Sequence, residues 1–264
     1  MNQSERRQYL IKYLLNEEGD NEDVLIPEEV FEQKAYLRGL MNIRPPKEID
    51  QEFLDVQDAY LKETIQENGI FDYKTLKPLQ KNIYLWRGDI TTLACDGIVN
   101  AANDAMEGCY IPNHTCIDNC IHTFAGVQLR LDCAKRMRTL SEEKGGRYSQ
   151  PTGVPMLTPG YNLPAKYIIH VVGPIVHNGL TQKDEDELKD CYWNTLELCK
   201  ENGLTSVGFC CISTGVFHFP KDRAAEIAVA TAKEFLEKND YCLDVIFNVF
   251  GSDDYDIYNQ LLNQ

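Results

Sequence analysis

The sequence predicts an α/β fold with a small helical region in front of it, and two observations carry that prediction. From about residue 82 onward, short apolar runs alternate with longer stretches of helical spacing, the pattern of a layered sheet with helices on both faces. Before that point the apolar residues recur only at helical spacing. The expected organisation is therefore a helical extension over residues 1–80, docked on a main domain over residues 81–264.

In the N-terminal region, Tyr9, Leu10, Tyr13 and Leu14 share one helical face. Val30, Phe31, Leu37 and Leu40 share another after the start signal Pro27-Glu28-Glu29. Pro45-Pro46 breaks the pattern, and Phe53, Val56, Tyr60 and Leu61 resume it. Three helices of this length are too thin to hold a core alone, so docking is expected.

In the main region, strands are expected at 83–86, 97–100, 154–157, 167–172, 206–212 and 245–250. Helices are expected at 117–138, 184–201, 221–238 and 253–263. Ligands of such sheets bind beyond the carboxyl ends of the strands. Three predicted strand ends carry suitable chemistry: Gly88-Asp89-Ile90, Asn100-Ala101-Ala102-Asn103 and Ser213-Thr214-Gly215-Val216-Phe217.

Composition narrows the partners. A net charge of -15 argues against a nucleic-acid backbone, which calls for clustered Lys and Arg. Any phosphate must be met by backbone amides and helix N-termini. Ten cysteines without a secretory signal at Met1-Asn2-Gln3-Ser4 point to reduced thiols and a cytoplasmic location. No apolar run reaches the length of a membrane span, so no membrane partner is expected.

Two thiols and an imidazole lie within eight residues at Cys109-x4-His114-x-Cys116, a donor set suited to Zn²⁺. Three protein ligands leave a fourth position open, the catalytic pattern. Cys120, His122 and Asp118 are the nearby alternatives for a fourth ligand, and Cys120 and His122 read better as core. The other cysteines, Cys95, Cys133, Cys191, Cys199, Cys210, Cys211 and Cys242, read as small buried hydrophobes.

The Gly-Asp-Ile, Val99-Asn100-Ala101-Ala102-Asn103, Ile212-Ser213-Thr214-Gly215-Val216-Phe217 and Val249-Phe250 segments, in this order, resemble the macrodomain family of ADP-ribose-binding modules and hydrolases. The resemblance implies a three-layer α/β/α sandwich around a mixed sheet. It assigns Asp89 to the adenine amine, Ile90 and Phe250 to the adenine borders, Asn103 to the distal ribose, and the backbone of Ser213, Thr214, Gly215, Val216 and Phe217 to the diphosphate. Ile117-Asp118-Asn119-Cys120-Ile121-His122 matches the segment carrying the family's catalytic aspartate, so Asp118 takes that role together with Asn103.

Cys109, His114 and Cys116 replace the family's glycine-rich loop, which is similar to the zinc-containing subgroup. That subgroup is associated with class M sirtuin-type transferases and lipoyl-carrier proteins of the glycine-cleavage H type. The resemblance implies a zinc-dependent hydrolase that removes mono-ADP-ribose from a protein side chain, with ADP-ribose as product. A non-catalytic reader and a hydrolase of small acetylated ADP-ribose remain as alternatives.

Overall fold

The structure is a computed structural model that describes residues 1–19 and 25–264, so residues 20–24 of the N-terminal region lie outside it. Helices α1 (Gln3–Glu18), α2 (Val30–Ile43) and α3 (Gln51–Asn68) form the leading region. A capping box starts α1: Asn2 Oδ1 accepts from the Glu5 amide at 2.9 Å, and Glu5 returns the bond at 2.8 Å. Leu10, Ile11, Leu14, Leu37, Leu40, Phe53, Tyr60 and Leu61 make a core of their own, joined by Val127 from the main domain.

Val30 and Phe31 depart from the expected pattern, being 55% and 82% exposed. The buried stripe of α2 runs through Gln33, Leu37, Leu40 and Met41, which leaves Phe31 on the opposite side of the helix. The N-terminal helices dock through α2 and α3 onto helix α4 (Ile117–Ala125).

The main sheet contains β2 (Ile83–Arg87), β4 (Gly97–Ala102), β5 (Met156–Pro159), β6 (Tyr167–Val172), β7 (Ser206–Phe209) and β8 (Asp244–Val249). Their order is β2-β8-β7-β4-β6-β5, parallel except for β5, which runs antiparallel to β6. A small parallel pair, β1 (Phe71–Asp72) with β3 (Leu93–Ala94), has no counterpart in the periodicity because two residues show no period. Helices α6 (Gln182–Glu201), α7 (Lys221–Lys238) and α8 (Ser252–Leu262) pack side by side, while α4 and α5 (Val127–Lys144) form a second group.

Two expected elements change. The single helix at 117–138 is two helices, α4 and α5, because Gly126 adopts φ +102°. A Cβ there would lie 2.5 Å from Gln128 and 2.7 Å from Gln57, so the turn is also tightly packed. The strand at 206–212 stops at Phe209, and the next residues turn into the cleft described below. No helix of the described residues is long and apolar enough to cross a membrane.

Candidate active site

Because β2, β4, β7 and β8 are mutually parallel, their carboxyl ends open on one side, where a cleft of about 760 Å³ lies. Gly88 to Ile90, Ala101, residues 213–217 and Phe250 line it, together with His114, Cys116 and Cys120. Two strand-end motifs, Ala101 of the third and part of the cysteine loop thus share one cavity, whereas Asn100, Asn103 and Cys109 are not among its lining residues.

At one end, Asp89 caps a short 3-10 turn at Ile90–Thr92, accepting from the Thr91 amide at 2.9 Å and the Thr91 hydroxyl at 2.7 Å. Both bonds fall on Oδ1. The second oxygen takes no bond from the protein among the described residues, which leaves it for an outside donor such as an exocyclic amine. Ile90 is buried and Phe250 stands 80% exposed at the mouth. Gly88 is required for close approach: a Cβ would lie 2.2 Å from the Trp86 ring.

The 213–217 loop departs from a glycine-driven turn. Its left-handed residues are Ser213 (φ +65°) and His218 (φ +59°), and Gly215 lies outside that region. Bonds from the Phe219 amide to the Ser213 carbonyl (3.0 Å) and from the Thr214 hydroxyl to the Cys211 carbonyl (3.1 Å) hold the curl. Among the described residues, the amides of Thr214, Gly215, Val216 and Phe217 donate to no protein acceptor. Helix α7 starts just beyond, at Lys221. Unpartnered amides beside a helix N-terminus form an anion cradle.

At the other end, the ligand atoms of Cys109, His114 and Cys116 all lie within 4.8 Å of one another, with Cys109 Sγ and His114 Nδ1 3.5 Å apart. Tetrahedral zinc bonds to sulfur and nitrogen place such atoms about 3.6 Å apart, so the donor set fits the ion in both chemistry and spacing. Cys116 is the N-cap of α4, where its Sγ accepts from the Asn119 amide at 3.4 Å. Burial pushes its thiol up to about 12, a proton that metal binding would displace.

Cys120, expected in the core, lines the cleft but stays outside this cluster. Cys242 is exposed and Cys211 half-buried at the cleft, whereas Cys95, Cys133, Cys191, Cys199 and Cys210 are buried.

Asp118 does not line the cleft. It is 5% exposed, one layer below. Its Oδ1 accepts from Asn100 Nδ2 at 2.8 Å and its Oδ2 from Asn103 Nδ2 at 3.2 Å. Asn103 also donates to the Gly108 carbonyl at 3.1 Å. Burial raises the Asp118 carboxyl to about 6, against the opposing pull of the Asn100 bond, the Arg130 charge and the Asn103 bond. Asn100 Nδ2 also reaches His170 Nδ1 at 3.1 Å, and Thr158 Oγ1 lies 3.0 Å from His170 Nε2. His122 is buried beside Asp118 at 3.6 Å, and burial lowers its pKa well below the usual value.

The Macro domain family model matches residues 99–228. A protein-ADP-ribose hydrolase of Treponema medium is 51% identical over 267 residues, covering 100% of both chains. This chain belongs to the macro domain family. An Oceanobacillus iheyensis macrodomain solved with ADP is 39% identical with a TM-score of 0.62, covering 70% of this macro domain chain and 93% of its own. A Trypanosoma brucei macrodomain in complex with ADP-ribose is 29% identical with a TM-score of 0.65, covering 85% of this chain and 94% of its own.

Several residues that shape this macro domain site carry no local signal. Arg38, Asn42 and Arg130 reach the cysteine loop from 70 or more, or from some 20, positions away in sequence. Asn119, adjacent to Asp118, ties the loop internally through bonds to the Cys109 and Ile111 carbonyls.

Proposed function

We propose that this macro domain is a zinc-dependent protein-ADP-ribose hydrolase that releases ADP-ribose from a modified, acidic side chain. The observation that carries the reading is the single cleft that joins Asp89 and Ile90, the free amides of residues 214–217, and the His114 and Cys116 donors. Full-length similarity to a protein-ADP-ribose hydrolase supports the reaction class.

In this reading Asp89 accepts from the adenine amine while Ile90 and Phe250 border the ring. Ser213, Thr214, Gly215, Val216 and Phe217 receive the diphosphate on backbone amides, and Asn103 meets the distal ribose. The adenine and diphosphate contacts are remote from the scissile bond, so their binding energy serves orientation at the reacting carbon. Zn²⁺ held by Cys109, His114 and Cys116 would supply Lewis acidity at the distal end of the cleft. Asp118 acts from below: shielded from the cleft, it holds Asn103, and through it the Gly108 end of the loop, in place. On the resemblance of the Cys109-x4-His114-x-Cys116 segment, the modified protein is a lipoyl-carrier protein of the glycine-cleavage H type.

The test is mass spectrometry of a mono-ADP-ribosylated lipoyl-carrier protein, an unrelated modified protein and acetylated ADP-ribose, each incubated with the chain. Loss of the label from the carrier is expected. Chelator-stripped protein and Cys116→Ser should lose at least ~10²-fold in rate, consistent with the several kcal/mol a Lewis acid contributes. A label left in place on every protein would show a reader. Undiminished turnover after complete metal removal would refute the zinc role.

A further inference from the structure

Helix α2 reaches the donor-set loop first through the guanidinium of Arg38. Arg38 Nη2 donates to the His114 carbonyl at 2.8 Å and to Asn119 Oδ1 at 2.9 Å. Asn119 is buried, and it is the loop's internal tie: its Nδ2 donates to the carbonyls of Cys109 at 3.4 Å and Ile111 at 3.0 Å. Its backbone amide donates to Cys116 Sγ at 3.4 Å. Arg38 and Asn119, the latter through both its carboxamide and its backbone amide, therefore connect all three residues of the donor set.

The direction of the Arg38 bond matters. A guanidinium has only donors, so it must face the carboxamide oxygen of Asn119, which turns the amide nitrogen toward the Cys109 and Ile111 carbonyls. The two carbonyls already select the amide nitrogen on their side, and the Thr123 hydroxyl donates to Asn119 Oδ1 at 3.4 Å, so Arg38 adds a short charged bond that locks an orientation those weaker contacts only favour. One helical turn further on, Asn42 Oδ1 accepts from the Asn113 amide at 3.0 Å and its Nδ2 donates to Thr123 at 2.9 Å. Residues 38 and 42 are four apart, so the same face of α2 grips the loop twice.

We propose that Arg38 is a positioning residue of the metal site, fixing the Asn119 carboxamide and the His114 carbonyl so that Cys109, His114 and Cys116 are assembled before the ion arrives. The N-terminal helices are then a part of the distal site. The proposal rests on the zinc reading above. Partners that orient metal ligands typically contribute ~10–100-fold in metal affinity.

The experiment uses the full chain. Zinc content is measured by elemental analysis, zinc affinity by competition with a chromogenic chelator, and site geometry by the absorption bands of the Co²⁺-substituted protein. Arg38→Met, which keeps the apolar stem, should bind zinc ~10–100-fold more weakly and alter the Co²⁺ spectrum. Arg38→Lys, which keeps donors and charge, should recover part of the affinity. Lys34→Ala, an exposed change one turn earlier on α2, should match the wild type.

If Arg38→Met does not fold, the Arg38→Lys spectrum and affinity decide alone. Variants at position 38 with wild-type zinc competition and Co²⁺ bands would overturn the positioning role while leaving the zinc reading intact. A wild-type chain that takes up neither metal would overturn both.

Discussion

The two ends of the cleft are built from different materials. The Asp89 and 213–217 end consists of short loops after strands, offering backbone amides, one free carboxylate oxygen and exposed apolar side chains at Val216 and Phe250. The cysteine-loop end consists of a loop whose carbonyls and donor side chains are braced by Arg38 of α2, Asn119 of α4 and Arg130 of α5. Backbone donors follow from the fold itself and tolerate exchange of side chains. A donor set held at fixed spacing depends on each neighbour that braces it. The first end is suited to holding a ligand, the second to one particular chemistry.

The largest stability effect should fall on Arg130, the buried strut of the cysteine-loop end. It donates to the Glu107 carbonyl at 2.7 Å, to Asn42 and Arg44 carbonyls at 2.6 Å each, and to the Met41 and Cys109 carbonyls at 3.4 Å. Met41 and Asn42 belong to the last turn of α2, whose carbonyls have no intrahelical partner. Arg130→Met should cost ~3 kcal/mol or more in urea unfolding, because several buried carbonyls lose their donor at once. ADP-ribose affinity of the folded fraction should hold. If it falls in step with zinc retention, the two ends are not separable.

A pH ramp probes the layer beneath the cysteine-loop end. Burial drives the His170 pKa down to about 3 from an ordinary 6.5. The unfolded chain therefore takes up a proton that the folded chain refuses, so stability from this residue is present above pH 6.5 and lost as pH falls toward 3. At pH 5 the loss amounts to about 2 kcal/mol. Asp118, raised to about 6, works in the opposite sense, gaining stability as pH falls through that value. His170→Gln, which cannot titrate, should be less stable than wild type at pH 7 yet lose less on going to pH 5. Parallel thermal-unfolding shifts in the two proteins would remove His170 from the account.

Much of the fold was legible because the strands and helices of the main domain keep their periods, and the motifs at strand ends follow from them. The cysteine loop was visible as a local cluster, since Cys109, His114 and Cys116 lie within eight residues. Its supports were not: Arg38 meets Asn119 across 81 positions, and Arg130 meets Asn42 across 88. A hydrogen bond over that separation leaves no periodic trace. The burial of Asp118 was equally hidden, because helical spacing gives a face without saying what lies against it. The break at Gly126 was available as a glycine inside a helical run, a signal outweighed there by the period on either side.

The smallest effect belongs to Gly215, and it bears on the cradle end alone. A Cβ there meets no protein atom within 4 Å, and φ lies outside the left-handed region. Gly215→Ala should thus leave stability unchanged or raise it by ~0.4–1 kcal/mol through the unfolded chain. The new methyl would stand beside the unpartnered amides of Thr214, Val216 and Phe217, where the diphosphate is proposed to approach. Calorimetry should show ADP-ribose binding weakened about tenfold, or about 1.4 kcal/mol, with zinc content unchanged. Gly88→Ala is the contrast: its Cβ would lie 2.2 Å from the Trp86 ring, so stability should fall as well as binding. If Gly215→Ala raises the melting temperature and keeps full affinity, the open space at residue 215 is not where the diphosphate lies.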